Sequence, residues 1–233
     1  MYHIRNALFF VFALFVSSSF AQSPNSFSEA KRIAAKVFVD HKETLYCHCE
    51  FDSRHVINLA SCGMQSAEDI NRARRMEWEH MMAAENFGKH FECWRTPLCE
   101  KNGKLYKGRK CCQKIDPEFR HIEAELYNLW PAVGLVNQTR SNYRFGILDE
   151  KHDFYGCAFS VNKQIRRAEP PDYAKGIVAR ANLFIAHHYG IRISDAQRQL
   201  LTAWNQLYPP DAWEKEWAGR VAAIEGYSNP YIY

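Results

Sequence analysis

Beyond its first 21 residues the chain has no apolar run long enough to cross a bilayer as a helix, which takes about 20 residues. It has no internal repeat, which excludes a solenoid, and no linker that would divide it into two domains. It lacks a strong charge imbalance. The 30 lysines and arginines face 26 acidic residues, and the formal +4 suits a polyanionic partner without requiring one. Nor is there a pair of Cys-x-x-Cys sites, so the ligand-like Cys47-His48-Cys49 stands alone and zinc is a poor reading.

What is present begins with an export signature. Arg5 precedes an unbroken apolar run from Ala7 to Val16, and Ser19-Phe20-Ala21 puts small residues where a signal peptidase reads. The pattern predicts a cleaved signal over 1–21 and one domain over 22–233. All eight cysteines follow it: Cys47, Cys49, Cys62, Cys93, Cys99, Cys111, Cys112 and Cys157. An even number behind an export signal implies disulfides, made in an oxidising compartment, periplasmic or secreted. Sequence alone does not choose the connectivity.

Local signals place the elements. Ser28 caps a helix running to about Asp40, and Ser66 with Asp69 forms a capping box for a short helix over 66–73. Asp116-Pro117 opens another helix, with Phe119, Ile122, Leu126 and Leu129 as its apolar stripe and Pro131 as its stop. On it, Glu125 and Asn128 share a face. Three helices fill the last third: from Pro170-Pro171-Asp172 to about Tyr189, from Ser194 to Pro209, and from Asp211 to Gly226. Cys93 to Cys112 reads as irregular because of Pro97, Gly103 and Gly108. From Lys101 to Lys114 it carries five lysines and Arg109 with no acidic residue, and phosphate is the natural partner of such a loop.

The stretch from Arg72 to His80 concentrates charge: three arginines, two glutamates and a histidine. Alone it reads as an ion-paired surface. Met76, Trp78, His80 and Met82 alternate with the period of a strand, while helix propensity points the other way. With the Glu123–Trp130 stretch a sharper chemistry emerges. Glu79 and the Asn128 carbonyl are oxygen ligands suited to a hard cation, and a neutral His80 beside that ion could take a proton from water.

These pieces stand in order with others: Glu77-Trp-Glu-His80, Gly108-Arg-Lys110, Glu123-Ala-Glu-Leu-Tyr-Asn-Leu129, Pro131-Ala-Val-Gly134, Arg140-Ser-Asn142, Ala203-Trp204, Tyr208-Pro209 and Asn229-Pro-Tyr231. In that order the sequence resembles the endonuclease I family of bacterial periplasmic and secreted nucleases, over nearly all of the chain after the signal.

The resemblance implies a mixed, helix-rich α+β domain, disulfide-stapled and built around a ββα-metal (His-Me) finger. It makes the stretch leading to His80 a strand with the histidine at its end, and the asparagine supplied by the following helix. It implies Glu79 and Asn128 as ligands of one Mg2+ (Mn2+ or Ca2+ able to substitute in binding), His80 as general base and Arg109 as the phosphate-stabilising cation. Lys104, Lys107, Lys110 and Arg140 are the expected nucleic-acid contacts, with bracing of a turn an equal role for Arg140. The implied activity is hydrolysis of single- and double-stranded DNA, and of RNA, with little sequence preference, leaving 5′-phosphate ends. The expected state is a monomer with no membrane contact. A secreted nucleic-acid-binding protein without catalysis and a phosphodiesterase for small substrates are the alternatives.

The chain departs from the family pattern between Cys93 and Arg109, where it is longer. Cys99 and Cys111 have no counterpart there, which suggests a Cys99–Cys111 clip across the inserted part. Cys99–Cys112 is the rival pairing, with Cys111 in the family cysteine's role.

Overall fold

A computed structural model describes residues 23–233, and the expected signal over 1–21 lies outside the described residues. Helix α1 (Phe27–Val37) starts two residues earlier than the Ser28 cap implies, because the Ser26 hydroxyl accepts the Glu29 amide. Its Ala30, Ala34 and Val37 form the buried stripe. The Ser66–Asp69 capping box opens no α-helix. Only a 3-10 turn, Gln65–Ala67, forms there, since Ile70 is exposed and two small alanines, Ala67 and Ala73, are all this stretch buries.

Strand β1 (Met76–His80) follows, so the alternating pattern prevails over helix propensity. Next come two short helices, α2 (Ala84–Gly88) and α3 (Glu92–Arg95), and a hairpin of β2 (Cys99–Lys101) and β3 (Lys104–Tyr106). The stretch expected to be irregular is thus partly ordered. Asn102 and Gly103 both take positive φ, 53° and 72°, as a two-residue hairpin turn demands.

Helix α4 (Arg109–Ile115) leads into α5 (Pro117–Ala124), where the Asp116 carboxylate accepts the Phe119 amide. Helix α5 stops well short of Pro131. Glu225 takes the Leu126 amide and the Glu125 side chain takes that of Tyr127, which cuts the helical ladder. A 3-10 turn, Leu126–Asn128, then runs straight into the buried strand β4 (Leu129–Val133). Asn128 therefore sits at a turn before a strand, not on a helix, and shares no helical face with Glu125.

Strand β4 pairs antiparallel with β1, His80 opposite Leu129 and Met76 opposite Val133. Pro131 is tolerated within it because the sheet has two strands and both are edges. Helix α6 (Gly134–Arg140) begins where β4 ends. A Cβ at Gly134 would come within 2.9 Å of the Arg72 and Arg75 carbonyls, so glycine lets α6 start hard against the approach to β1. A third sheet contains β5 (Arg144–Phe145), β6 (Ser160–Asn162) and β7 (Arg167–Glu169) in the order β5-β7-β6.

The last helices, α7 (Asp172–His188), α8 (Asp195–Leu207) and α9 (Ala212–Glu225), keep the boundaries read from their caps. Their Trp204 and Trp217 are core residues. The fold is mixed α+β, stapled by Cys47–Cys157, Cys49–Cys62, Cys93–Cys112 and Cys99–Cys111. Cys99 thus joins Cys111 and not Cys112. No helix of the described residues is long and apolar enough to cross a membrane.

Candidate active site

A strand turns neighbouring side chains to opposite faces, yet Glu79 and His80 are both buried, because β1 is covered on both sides. Glu79 meets Tyr46 and Arg140. The Tyr46 hydroxyl donates to Oε1 at 2.7 Å and Arg140 Nη1 lies 2.9 Å from the same oxygen. Burial pushes the Glu79 carboxyl above the ordinary carboxylate range, opposed by the Arg140 charge and the Tyr46 hydrogen bond. Its other oxygen, Oε2, has no hydrogen-bond partner among the described residues.

His80 packs against Phe27, ring centroids 4.6 Å apart, and against Phe87. Its Nε2 lies 2.8 Å from the Glu123 carbonyl oxygen. A carbonyl can only accept, so Nε2 carries the proton and Nδ1 keeps its lone pair. Burial, and then the positive charge of Arg109, lowers the imidazole from 6.5 to about 3. The ring is neutral at pH 7.

Glu123 has a second task. Its carboxylate binds the Arg109 Nε, and Gln113 Nε2 donates to both its oxygens at 2.8 and 2.9 Å. One residue therefore holds the imidazole through its backbone and the guanidinium through its side chain. The Arg109 guanidinium carbon lies 5.2 Å from the Phe27 ring centroid, and Nη2 has no hydrogen-bond partner among the described residues. Glu79, His80, Arg109 and Arg140 line one cavity of about 310 Å3 with Phe27, Glu77 and Trp78.

Asn128 is not among those lining residues. Its side chain clasps the Met82 backbone, Oδ1 accepting the amide at 2.6 Å and Nδ2 donating to the carbonyl at 3.1 Å. The donor set still suits a hard cation. Glu79 Oε2 is a carboxylate oxygen with free lone pairs, and Asn128 Oδ1 retains one beside the Met82 contact.

Arg140 is no surface cation. It is 1 % exposed, and its guanidinium donates to the His80 carbonyl at 2.8 Å and the Met81 carbonyl at 2.6 Å. It braces the end of β1 from within. Lys104 and Lys110 are exposed, whereas Lys107 Nζ donates to the Arg95 carbonyl at 2.8 Å. The arginines before β1 are ion-paired: Arg72 and Arg75 with Glu77, Arg74 with Glu68. Sequence reading missed Tyr46, which had no signal beyond its place beside Cys47. It also passed over Glu123, although that residue lies inside a quoted motif.

The sequence profile of the endonuclease I family matches residues 28–233. A periplasmic deoxyribonuclease of Aeromonas hydrophila is 36% identical over 217 residues, covering 91% of this chain and 87% of that protein. An extracellular deoxyribonuclease of the same organism is 36% identical over 234 residues, 98% of this chain and 97% of the relative. Endonuclease-1 of Buchnera aphidicola subsp. Acyrthosiphon pisum (strain APS) is 34% identical over 212 residues, 89% and 80%.

Proposed function

Because the chain belongs to the endonuclease I family, we propose that it is a periplasmic or secreted, magnesium-dependent endonuclease. It hydrolyses the phosphodiester backbone of single- and double-stranded DNA and of RNA, and acts as a monomer. The observation that carries this reading is the shared cavity, where a carboxylate oxygen, an imidazole with its lone pair free and a guanidinium converge. Deoxyribonuclease is also the printed activity of the Aeromonas relatives. Four disulfides suit an oxidising compartment.

In this reading Glu79 and Asn128 hold one magnesium ion within a ββα-metal finger. Bound magnesium supplies electrostatic stabilisation of the phosphoryl and leaving oxygens. His80 Nδ1 takes a proton from a water, whose oxygen attacks phosphorus in line. The bond from phosphorus to the 3′-oxygen breaks and that oxygen takes a proton from solvent, leaving a 5′-phosphate and a 3′-hydroxyl. The Glu123 carbonyl keeps the imidazole in the tautomer that can accept, and burial keeps it uncharged until it does. Arg109, anchored by Glu123, retains Nη2 for a phosphoryl oxygen. Lys104 and Lys110 attract the backbone from outside. Chemistry directed at the backbone needs no base contacts, so sequence preference is low.

Nicking of supercoiled plasmid, with and without chelator, tests the reading. The wild type nicks in magnesium and stops in chelator. His80→Ala loses about 10²–10⁴-fold in rate and still retains plasmid on a filter. Retention without nicking by the wild type would favour a non-catalytic binder. Turnover of a chromogenic diester alone would favour a small-substrate phosphodiesterase.

A further inference from the structure

The β2–β3 hairpin belongs to the part of the chain that sequence reading saw as inserted, and its register gives it two unlike faces. Cys99 pairs with Tyr106 and Lys101 with Lys104, so these four side chains share one face. Glu100 pairs with Leu105 on the other, where Leu105 is 68% exposed. The first face bounds a basin of about 720 Å3 lined by Lys101, Lys104, Tyr106, Lys107, Arg109 and Lys110 beside Asn102. No acidic side chain lines it, and the hairpin's own glutamate is turned away.

Tyr106 is the aromatic member of this basic surface. It is half-buried, packed on the core from one side, and among the described residues no other ring or cation lies over it. Arg109 lines both this basin and the cavity that holds His80. A strand with its scissile phosphate at Arg109 therefore continues directly into the basin.

We propose that this face of the hairpin is a nucleotide subsite, in which Tyr106 stacks one unpaired base of the strand being cut while Lys101 and Lys104 contact its phosphates. The proposal rests on the endonuclease reading above and adds to it a base-dependent contact. Stacking on an aromatic ring is tolerant of sequence because every base has a π-face, so the subsite fits a nuclease of low specificity. It requires a base free of its partner, which a single strand offers at once and an intact duplex does not.

The arm is built to hold its place. The Cys99–Cys111 bridge ties β2 to α4, Cys93–Cys112 ties α3 to α4 beneath it, and after β3 the Gly108 amide donates to the Cys93 carbonyl at 3.0 Å. Less ordering is then needed when the strand arrives.

The test uses single-stranded oligodeoxynucleotides with one ordinary phosphodiester among phosphorothioates. An abasic unit is moved stepwise along one side of the cleavable bond. In the wild type one abasic position raises KM by roughly tenfold, the loss of one stacked base. Tyr106→Leu raises KM on the intact strand by a similar factor and removes the penalty at that position, while Tyr106→Phe keeps the wild-type pattern. Should Tyr106→Leu not fold, 2-aminopurine at the same position is quenched on binding to wild type held in chelator. The idea is overturned if no position carries a penalty, if the penalty survives in Tyr106→Leu, or if 2-aminopurine is not quenched. Failure of the wild type to cut even the unmodified strand would instead sink the nuclease reading.

Discussion

Two walls that meet at Arg109 are held in opposite ways. On the β1 side, Glu79, His80 and Arg140 are buried and fixed by Tyr46, the Glu123 carbonyl and the backbone of His80 and Met81. On the hairpin side, the lysines stand in water, one disulfide ties β2 to α4 and a second joins the flanking helices α3 and α4. The difference matches the work proposed for each wall. Proton transfer needs atoms held at hydrogen-bond distance, which a buried polar network provides. Attraction of a polyanion needs charges left exposed, and a hairpin this small cannot bury a core. Covalent clips take the core's place there.

The contrast is broken most directly at Arg140. Arg140→Met removes the cation paired with the buried Glu79 carboxylate and the guanidinium donor to the His80 and Met81 carbonyls, and should cost about 3–5 kcal/mol of stability. Urea denaturation measures it, and a loss under about 1 kcal/mol would mean that the β1 wall does not depend on this network.

A second, smaller effect sharpens the same wall. The folded His80 value of about 3 lies below its ordinary 6.5, so between these pH values the unfolded chain binds a proton that the fold refuses. Stability therefore falls as pH is lowered through that window, by at most about 1.4 kcal/mol per unit. In chelator, the stability lost between pH 6.5 and 4.5 should be about 2 kcal/mol less in His80→Gln than in wild type. Equal losses would show that burial does not hold the ring neutral.

The hairpin wall should respond most weakly, and in KM. Replacing Cys99 and Cys111 together by serine costs about 2 kcal/mol or less, because the Cys93–Cys112 bridge still closes the larger loop around it. KM for DNA should rise severalfold and kcat stay within about twofold. A collapse of kcat would mean that the clip serves the chemistry.

Local signals were legible from sequence. The caps at Ser194 and Asp211 involve residues three apart, and α8 and α9 start where those caps put them. Signals that depend on distant partners were not. Helix α5 ends early because Glu225, 99 residues away, takes the Leu126 amide. Arg140 read as a candidate surface cation because its charge is visible in the sequence, while the buried glutamate that balances it becomes its neighbour only in the fold. The motif order pointed to Glu79, His80 and Arg109, and the fold adds Tyr46 and Glu123 as the groups that hold them. Asn102-Gly103 was a hairpin signal in plain view. The surrounding proline and glycines concealed it.

The contacts of the Leu126–Asn128 turn impose an order in time. Its Leu126 amide is taken by Glu225, and the Tyr127 hydroxyl donates to the Ala218 and Tyr227 carbonyls at 3.2 and 3.1 Å. These partners lie in the last sixteen residues of the chain. During synthesis β1 emerges early, but the turn carrying Asn128 cannot be completed until almost the whole polypeptide has been made. A chain interrupted before Glu225 would hold every residue assigned to the chemistry and still lack the carboxylate that takes the first amide of the turn carrying one of them.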